Sequence, residues 1–136
     1  MVPQTTTYAG ELRCRVTHGP SGVELVTDAP KDNRGRGESF SPTDLVVSAL
    51  ASCMVTTAGI AAQNANVSLD GTKIYAEKHM SPDPPRRIAR IVVRVEVCAG
   101  VPASFRPLLE EKCRTCPVAQ SINPNIILDL TLTYPD

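Results

Sequence analysis

Residues 88–97, IARIVVRVEV, alternate along the chain: Ile91, Val93, Val95 and Val97 fall on one face, and Arg90, Arg94 and Glu96 on the other. Period two is the signature of a half-buried strand. The same pattern recurs in the closing IILDLTLTY, where Leu128, Leu130 and Leu132 alternate with Asp129, Thr131 and Thr133. A third strand is predicted over GTKIYAEKHM, residues 71–80, joined to the 88–97 strand by the proline-rich turn SPDPPRR to make a hairpin. Near the start, TTTYAGELRCRVTH and GVELVTD read as two strands joined by the turn residues His18-Gly19-Pro20-Ser21-Gly22. The next segment, APKDNRGRGESF, has no periodicity and is rich in Gly, Pro and charge, so it is expected to be a surface loop.

A helix is predicted where that loop ends. Ser41 can serve as N-cap, Pro42 fits the first helical position, and Asp44 sits where it can complete a capping box. The helix should run to Gln63 or Asn64. Residues 102–113, PASFRPLLEEKC, suggest a second helix that Pro107 starts or kinks, and CPVAQSIN restarts a short one at Pro117. Strand, strand, helix, strand, strand, helix, helix, strand is an α+β order, not an alternating α/β one. At 136 residues the chain fits one domain, spanning 1–136.

The long helix is unusual because it carries no charge from Leu45 to Ala65. About 20 apolar residues can cross a bilayer, but this run holds Ser48, Ser52, Thr56, Thr57, Gln63 and Asn64, without aromatic ends or a flanking basic cluster. A central helix shielded on all sides explains it better, so no membrane partner is expected. Formal net charge is zero, which argues against nucleic acid or an acidic surface held by bulk electrostatics. Aromatics make up 4% with no Trp, so stacking platforms for bases are missing as well. The first residues, MVPQTTTYAGELRC, show no basic segment followed by an apolar one, and a cytoplasmic location is expected.

In that compartment five cysteines point to thiols or metal ligands before structural disulfides. Cys53 lies deep in the uncharged helix, where it is either a small buried hydrophobe or a reactive thiol activated by a cation from elsewhere, since the helix dipole fades within the first turn. Cys116 precedes Pro117 and so stands at an N-cap, where free amides favour thiolate. On position alone it should be the more acidic sulfur. Cys113 and Cys116 form a single C-x-x-C; without a second pair, and with only His18 and His79 far away in sequence, no metal is expected. Cys14 and Cys98 fall in predicted strands and carry no assigned chemistry.

Taken together, SPTDLVVSALASC and TCPVAQS, in this order of elements, resemble the OsmC/Ohr family over nearly the whole chain, and its general OsmC-like branch in particular. That resemblance implies an α+β OsmC-like fold: an intertwined homodimer with long central helices packed against antiparallel β-sheets. It also implies a thiol-dependent peroxidase. Cys53 would attack an organic hydroperoxide, release an alcohol and become a sulfenic acid; Cys116 would condense with it to a disulfide; an external dithiol, lipoyl-linked in Ohr relatives, would reset the pair. Neither metal nor flavin cofactor is implied.

Two positions depart from the family pattern. Peroxidase members bracket the thiol with an Arg from the first hairpin and a Glu after the helix-start proline. Here Thr43 follows Pro42 and the acid has moved to Asp44, one helical step of about 100° away. For the cation, Arg13 is the best positional candidate; Arg15 shares its strand face, and Arg34 and Arg36 remain open. Two other readings stand beside the peroxidase: a binding or redox-sensing dimer with little turnover, and a disulfide oxidoreductase that exchanges through Cys113 and Cys116.

Overall fold

The computed structural model describes residues 1–135. Chain contacts divide into two compact units, Met1–Val46 and the chain from Val47 onward. The first unit holds β1 (Gln4–Gly10), β2 (Arg13–His18), β3 (Glu24–Asp28) and a 3-10 turn over Lys31–Asn33. Helix α1 (Pro42–Asn64) carries the chain into the second unit, which continues with β4 (Lys73–Met80), β5 (Ile88–Glu96), a 3-10 turn over Ala103–Phe105, α2 (Arg106–Arg114), α3 (Pro117–Ser121) and β6 (Ile127–Thr133).

The first unit is a three-stranded antiparallel sheet in the order β1-β2-β3. Residues 5–28 therefore form three strands where the sequence pattern suggested two. The missed hairpin turns at Glu11 and Leu12, which take φ of 53° and 63° after Gly10 at 87°. A two-residue turn of this hand is usually announced by Asn-Gly or Asp-Gly, and Glu-Leu gives no such signal. The Leu12 amide donates to the Tyr8 hydroxyl at 3.2 Å, which ties the turn to its own strand.

The second unit holds a sheet in the order β4-β5-β6. β4 and β5 form the expected antiparallel hairpin, but β6 runs parallel to β5, so this sheet is mixed. The 30-residue connection through α2 and α3 explains the direction, because a crossover of that length can return the chain to the same end of the sheet. Alternation of Leu and Thr reports which face is buried and says nothing about direction. Ile91, Val93 and Val95 are buried as their period predicted, and they form one core with residues of α1, α2 and the segment before α3.

Helix α1 begins and ends within a residue of the predicted bounds. Its start is fixed by a reciprocal capping box: the Asp44 amide donates to Ser41 Oγ at 3.1 Å, and the Ser41 amide donates to Asp44 Oδ2 at 2.8 Å. Val47, Leu50, Met54, Ala58 and Ala62 form its buried stripe, spaced at three and four residues. Cover on every side, as the sequence suggested, is not what one chain provides; Ile60 is 59% exposed. By length and composition α1 could also cross a membrane, but its stripe is part of the core just described.

Because Ser41 is almost fully buried, no water can replace its hydroxyl at the Asp44 amide. Ser41→Ala is expected to lower stability by about 1 kcal/mol, read as a shift in the urea midpoint with unchanged slope.

Candidate functional site

Cys53 occupies the edge of the buried stripe, next to Met54 and three residues beyond Leu50, and is itself half-buried. Cys116, 63 residues later, is the N-cap of α3 with extended backbone, followed by Pro117 in the first helical turn, and is wholly buried. A proline has no amide hydrogen, so the first amide that α3 can offer is that of Val118. That amide donates to Cys53 Sγ at 3.5 Å. Thus the short helix that Cys116 caps is fastened to α1 through the other sulfur. One helical turn past Cys53, the Thr57 hydroxyl approaches the same sulfur at 3.9 Å.

All five cysteines are unpaired thiols. Position at an N-cap suggested a lowered value for Cys116; its surroundings raise it instead. Burial pushes the Cys116 thiol up, the Ala119 amide pulls it back, and its hydrogen bond to Cys53 together with any charge on that sulfur pushes it up again, with a smaller downward pull from the Val118 amide. The amides are there, but desolvation outweighs them. Cys116 thus holds its proton, and holds it more tightly when Cys53 is ionised.

Cys113 is also buried, its thiol donating to the Met54 carbonyl at 3.9 Å. Burial, helped by Cys116 and Glu110, pushes it up to about 11, against a smaller opposing pull from Arg114. Such a thiol is a poor entry point for exchange at neutral pH. Cys14 lies in β2 as expected, whereas Cys98 falls two residues past the end of β5, because β5 stops at Glu96; both are partly buried, and the Cys98 thiol donates to the Ser68 carbonyl at 3.5 Å.

The remaining predicted residues lie in or next to the first unit. Arg13 is gripped by Asp28 in a two-point bond, Nε to Oδ1 at 2.7 Å and Nη2 to Oδ2 at 2.8 Å, while Nη2 also donates to Glu38 Oε2 at 2.9 Å. Strand pairing places Arg13 opposite Asp28. Among the four arginine candidates this separates Arg13 from the rest: Arg15 faces Glu24 at 3.9 Å, Arg36 pairs with Glu11, and Arg34 ends the 3-10 turn in a left-handed conformation. Asp28 is only 1% exposed and also accepts the Glu38 amide at 3.1 Å. Neither acid was singled out by sequence, although Arg13, Asp28 and Glu38 become neighbours once β2 and β3 are paired. Asp44 closes the capping box, and the Thr43 hydroxyl lies 3.2 Å from that of Ser41. Nine residues of helix set Asp44 about 13 Å along the axis from Cys53.

Two reduced thiols, a partly buried Cys53 and a sealed Cys116, are thus carried by neighbouring elements, α1 and the start of α3. Residues 35–131 match the family model described as OsmC-like protein. A crystal structure from Psychrobacter arcticus 273-4, provisionally named an osmotic stress induced and detoxification response protein, is 38% identical with a TM-score of 0.92, covering 98% of this chain and 96% of that one. An organic hydroperoxide resistance protein OsmC from Legionella pneumophila shares 16% identity with a TM-score of 0.77 over 98% and 96% of the two chains. Another organic hydroperoxide resistance protein, from Elizabethkingia anophelis with thiocyanate bound, shares 17% with a TM-score of 0.78 over 99% and 96%. No curated protein matches. The chain belongs to the OsmC-like family.

The Arg13 guanidinium, foremost, holds the Asp28 carboxyl below the usual carboxylate range, against the opposing effect of burial and with help from the Glu38 amide. A depressed folded-state value contributes stability above the ordinary aspartate value of about 3.9, and that contribution disappears as pH falls through the folded value. Asp28→Asn should therefore be less stable than wild type at pH 7 and should approach it below about pH 4; urea midpoints measured from pH 7 down to pH 3 test this.

Proposed function

We propose that the chain is an organic hydroperoxide reductase that works through Cys53 and Cys116. The observation that carries this reading is the pair of sulfurs itself: a half-buried thiol that substrate can reach, beside a fully buried thiol that keeps its proton. The names of the Legionella and Elizabethkingia structures point the same way.

In this reading the Cys53 thiolate attacks the terminal oxygen of R–O–OH. An S–O bond forms as the O–O bond breaks; the alkoxide leaves and takes a proton from solvent to become the alcohol, and Cys53 is left as a sulfenic acid. The Cys116 sulfur then attacks the Cys53 sulfur, its proton departing with the hydroxyl as water, and the Cys53–Cys116 disulfide results. Two exchanges with an external dithiol restore both thiols and oxidise that dithiol to its own disulfide. A high-pKa resolving thiol suits this order, because it does not compete with Cys53 for the peroxide. No metal or flavin takes part.

Arg13, held by Asp28 and Glu38 through its Nε and Nη2 edge, is our candidate for the activating cation. Thr43 and Asp44 act at the start of α1, Asp44 through the capping box that sets the helix. A direct approach of Asp44 to a Cys53 would require a second copy of the chain, given the 13 Å that separates them along one helix. The working form is an intertwined homodimer in the cytoplasm: α1 is uncharged from Leu45 onward yet covered on one stripe, and the first unit leaves Tyr8, Val23 and Leu25 exposed. A second copy covers these surfaces.

With cumene hydroperoxide and a dithiol reductant, wild type should turn over, Cys53→Ser should lose activity by at least about a thousandfold, and Cys116→Ser should react once and stop. Dimedone should then label Cys53 in Cys116→Ser. Failure of wild type to consume peroxide, with the dimer intact, would favour a binding or redox-sensing dimer. Sedimentation should give twice the chain mass for wild type, and Ile60→Glu should shift the population towards monomer.

A further inference from the structure

We propose that Thr57 is a catalytic residue, its hydroxyl donating a hydrogen bond to the Cys53 thiolate so that, with the Val118 amide, two donors hold the sulfur in its reactive form. This rests on the peroxidase reading for the word catalytic and on geometry for the contact.

The contact is built into α1. Residues four apart on a helix stand one above the other, so Thr57 Oγ1 comes to 3.9 Å from Cys53 Sγ without help from any other element. While Cys53 carries its proton, either group can donate. Once the sulfur ionises it can only accept, and the hydroxyl hydrogen then settles on it. Val118 adds a donor from across the core at 3.5 Å, an amide made available because Pro117 has none. Hydrogen bonds to the charged form of a group favour that form. Both donors lie in the second unit, so this support for the thiolate acts separately from Arg13.

A threonine hydroxyl in a helix has an alternative, the backbone carbonyl one turn back. That carbonyl is the one of Cys53 itself, so the hydroxyl stays beside the same residue whichever acceptor it chooses. In the attack on peroxide Thr57 keeps its proton; it changes the fraction of sulfur that is ionised and takes no part in bond exchange.

The test is the pH dependence of iodoacetamide alkylation at Cys53, followed by peptide mass in wild type, Thr57→Val and Thr57→Ser. Valine keeps the branched shape and removes the donor. Thr57→Val should move the alkylation midpoint up by about half a unit to one unit, making the reaction roughly three- to tenfold slower well below the midpoint. Well above it the rate should be equal or higher, since a more basic thiolate is the stronger nucleophile. Thr57→Ser should restore the wild-type profile. An unchanged midpoint in folded Thr57→Val overturns the proposal, as does an equal shift in valine and serine variants, which would mark a packing effect. If valine disturbs folding, Thr57→Ala takes its place in the same comparison. A shift in Thr57→Val together with no peroxide turnover in wild type would support the donor role and defeat the peroxidase reading, so the two fail separately.

Discussion

The approach of α3 and its cap, Cys116, to Cys53 depends on α1 lying against the core along a single stripe. Leu50 and Met54 flank Cys53 in that stripe and are fully buried, so the height and rotation of the thiol are set by close-packed neighbours. α3 meets it from the other side, and the amide of Val118 fixes the approach. A rotation of α1 by one residue, about 100°, would carry the Cys53 sulfur away from α3 altogether. Packing and chemistry are therefore the same problem here. The helix must be apolar enough to bury its stripe, and it cannot spare a side chain on that face for charge.

The absence of charge along α1 beyond Asp44 leaves burial and local hydrogen bonds as the main influences on the thiols around it. Cys116 and Cys113 are sealed and pushed up, while Cys53 stays half-buried beside an amide and a hydroxyl. In the first unit, the Nε and Nη2 of Arg13 are occupied by two acids, Asp28 and Glu38, so its nitrogen edge is oriented rather than free to wander. Orientation of a planar donor by a two-point acid is a stronger constraint than a single surface ion pair.

Much of this was legible in the sequence, for reasons that differ by element. The start of α1 could be read because Ser41, Pro42 and Asp44 report local hydrogen bonds, and β5 because a strand buried on one face shows its period. The turn at Glu11 and Leu12 was hidden because its conformation is forced by pairing rather than by residue preference. The parallel course of β6 was hidden because direction leaves no trace in alternation. Acidity at Cys116 was misjudged for a related reason: an N-cap position can be read locally, whereas burial to zero exposure depends on what packs over it. Asp28 and Glu38 were missed since they meet Arg13 only through strand pairing and a loop return, and Thr57, one turn past Cys53, was visible as a spacing whose meaning needed the rotamer.

The proposed chemistry requires one particular sulfur to pair with one particular other. Adding a single equivalent of alkyl hydroperoxide to the fully reduced protein, then counting free thiols and mapping the bridge by peptide mass, tests it most directly. Loss of two thiols per chain with a bridge joining Cys53 to Cys116, and with Cys113 still free, is the predicted result. A bridge that includes Cys113, or consumption of peroxide with no bridge at all, would contradict it.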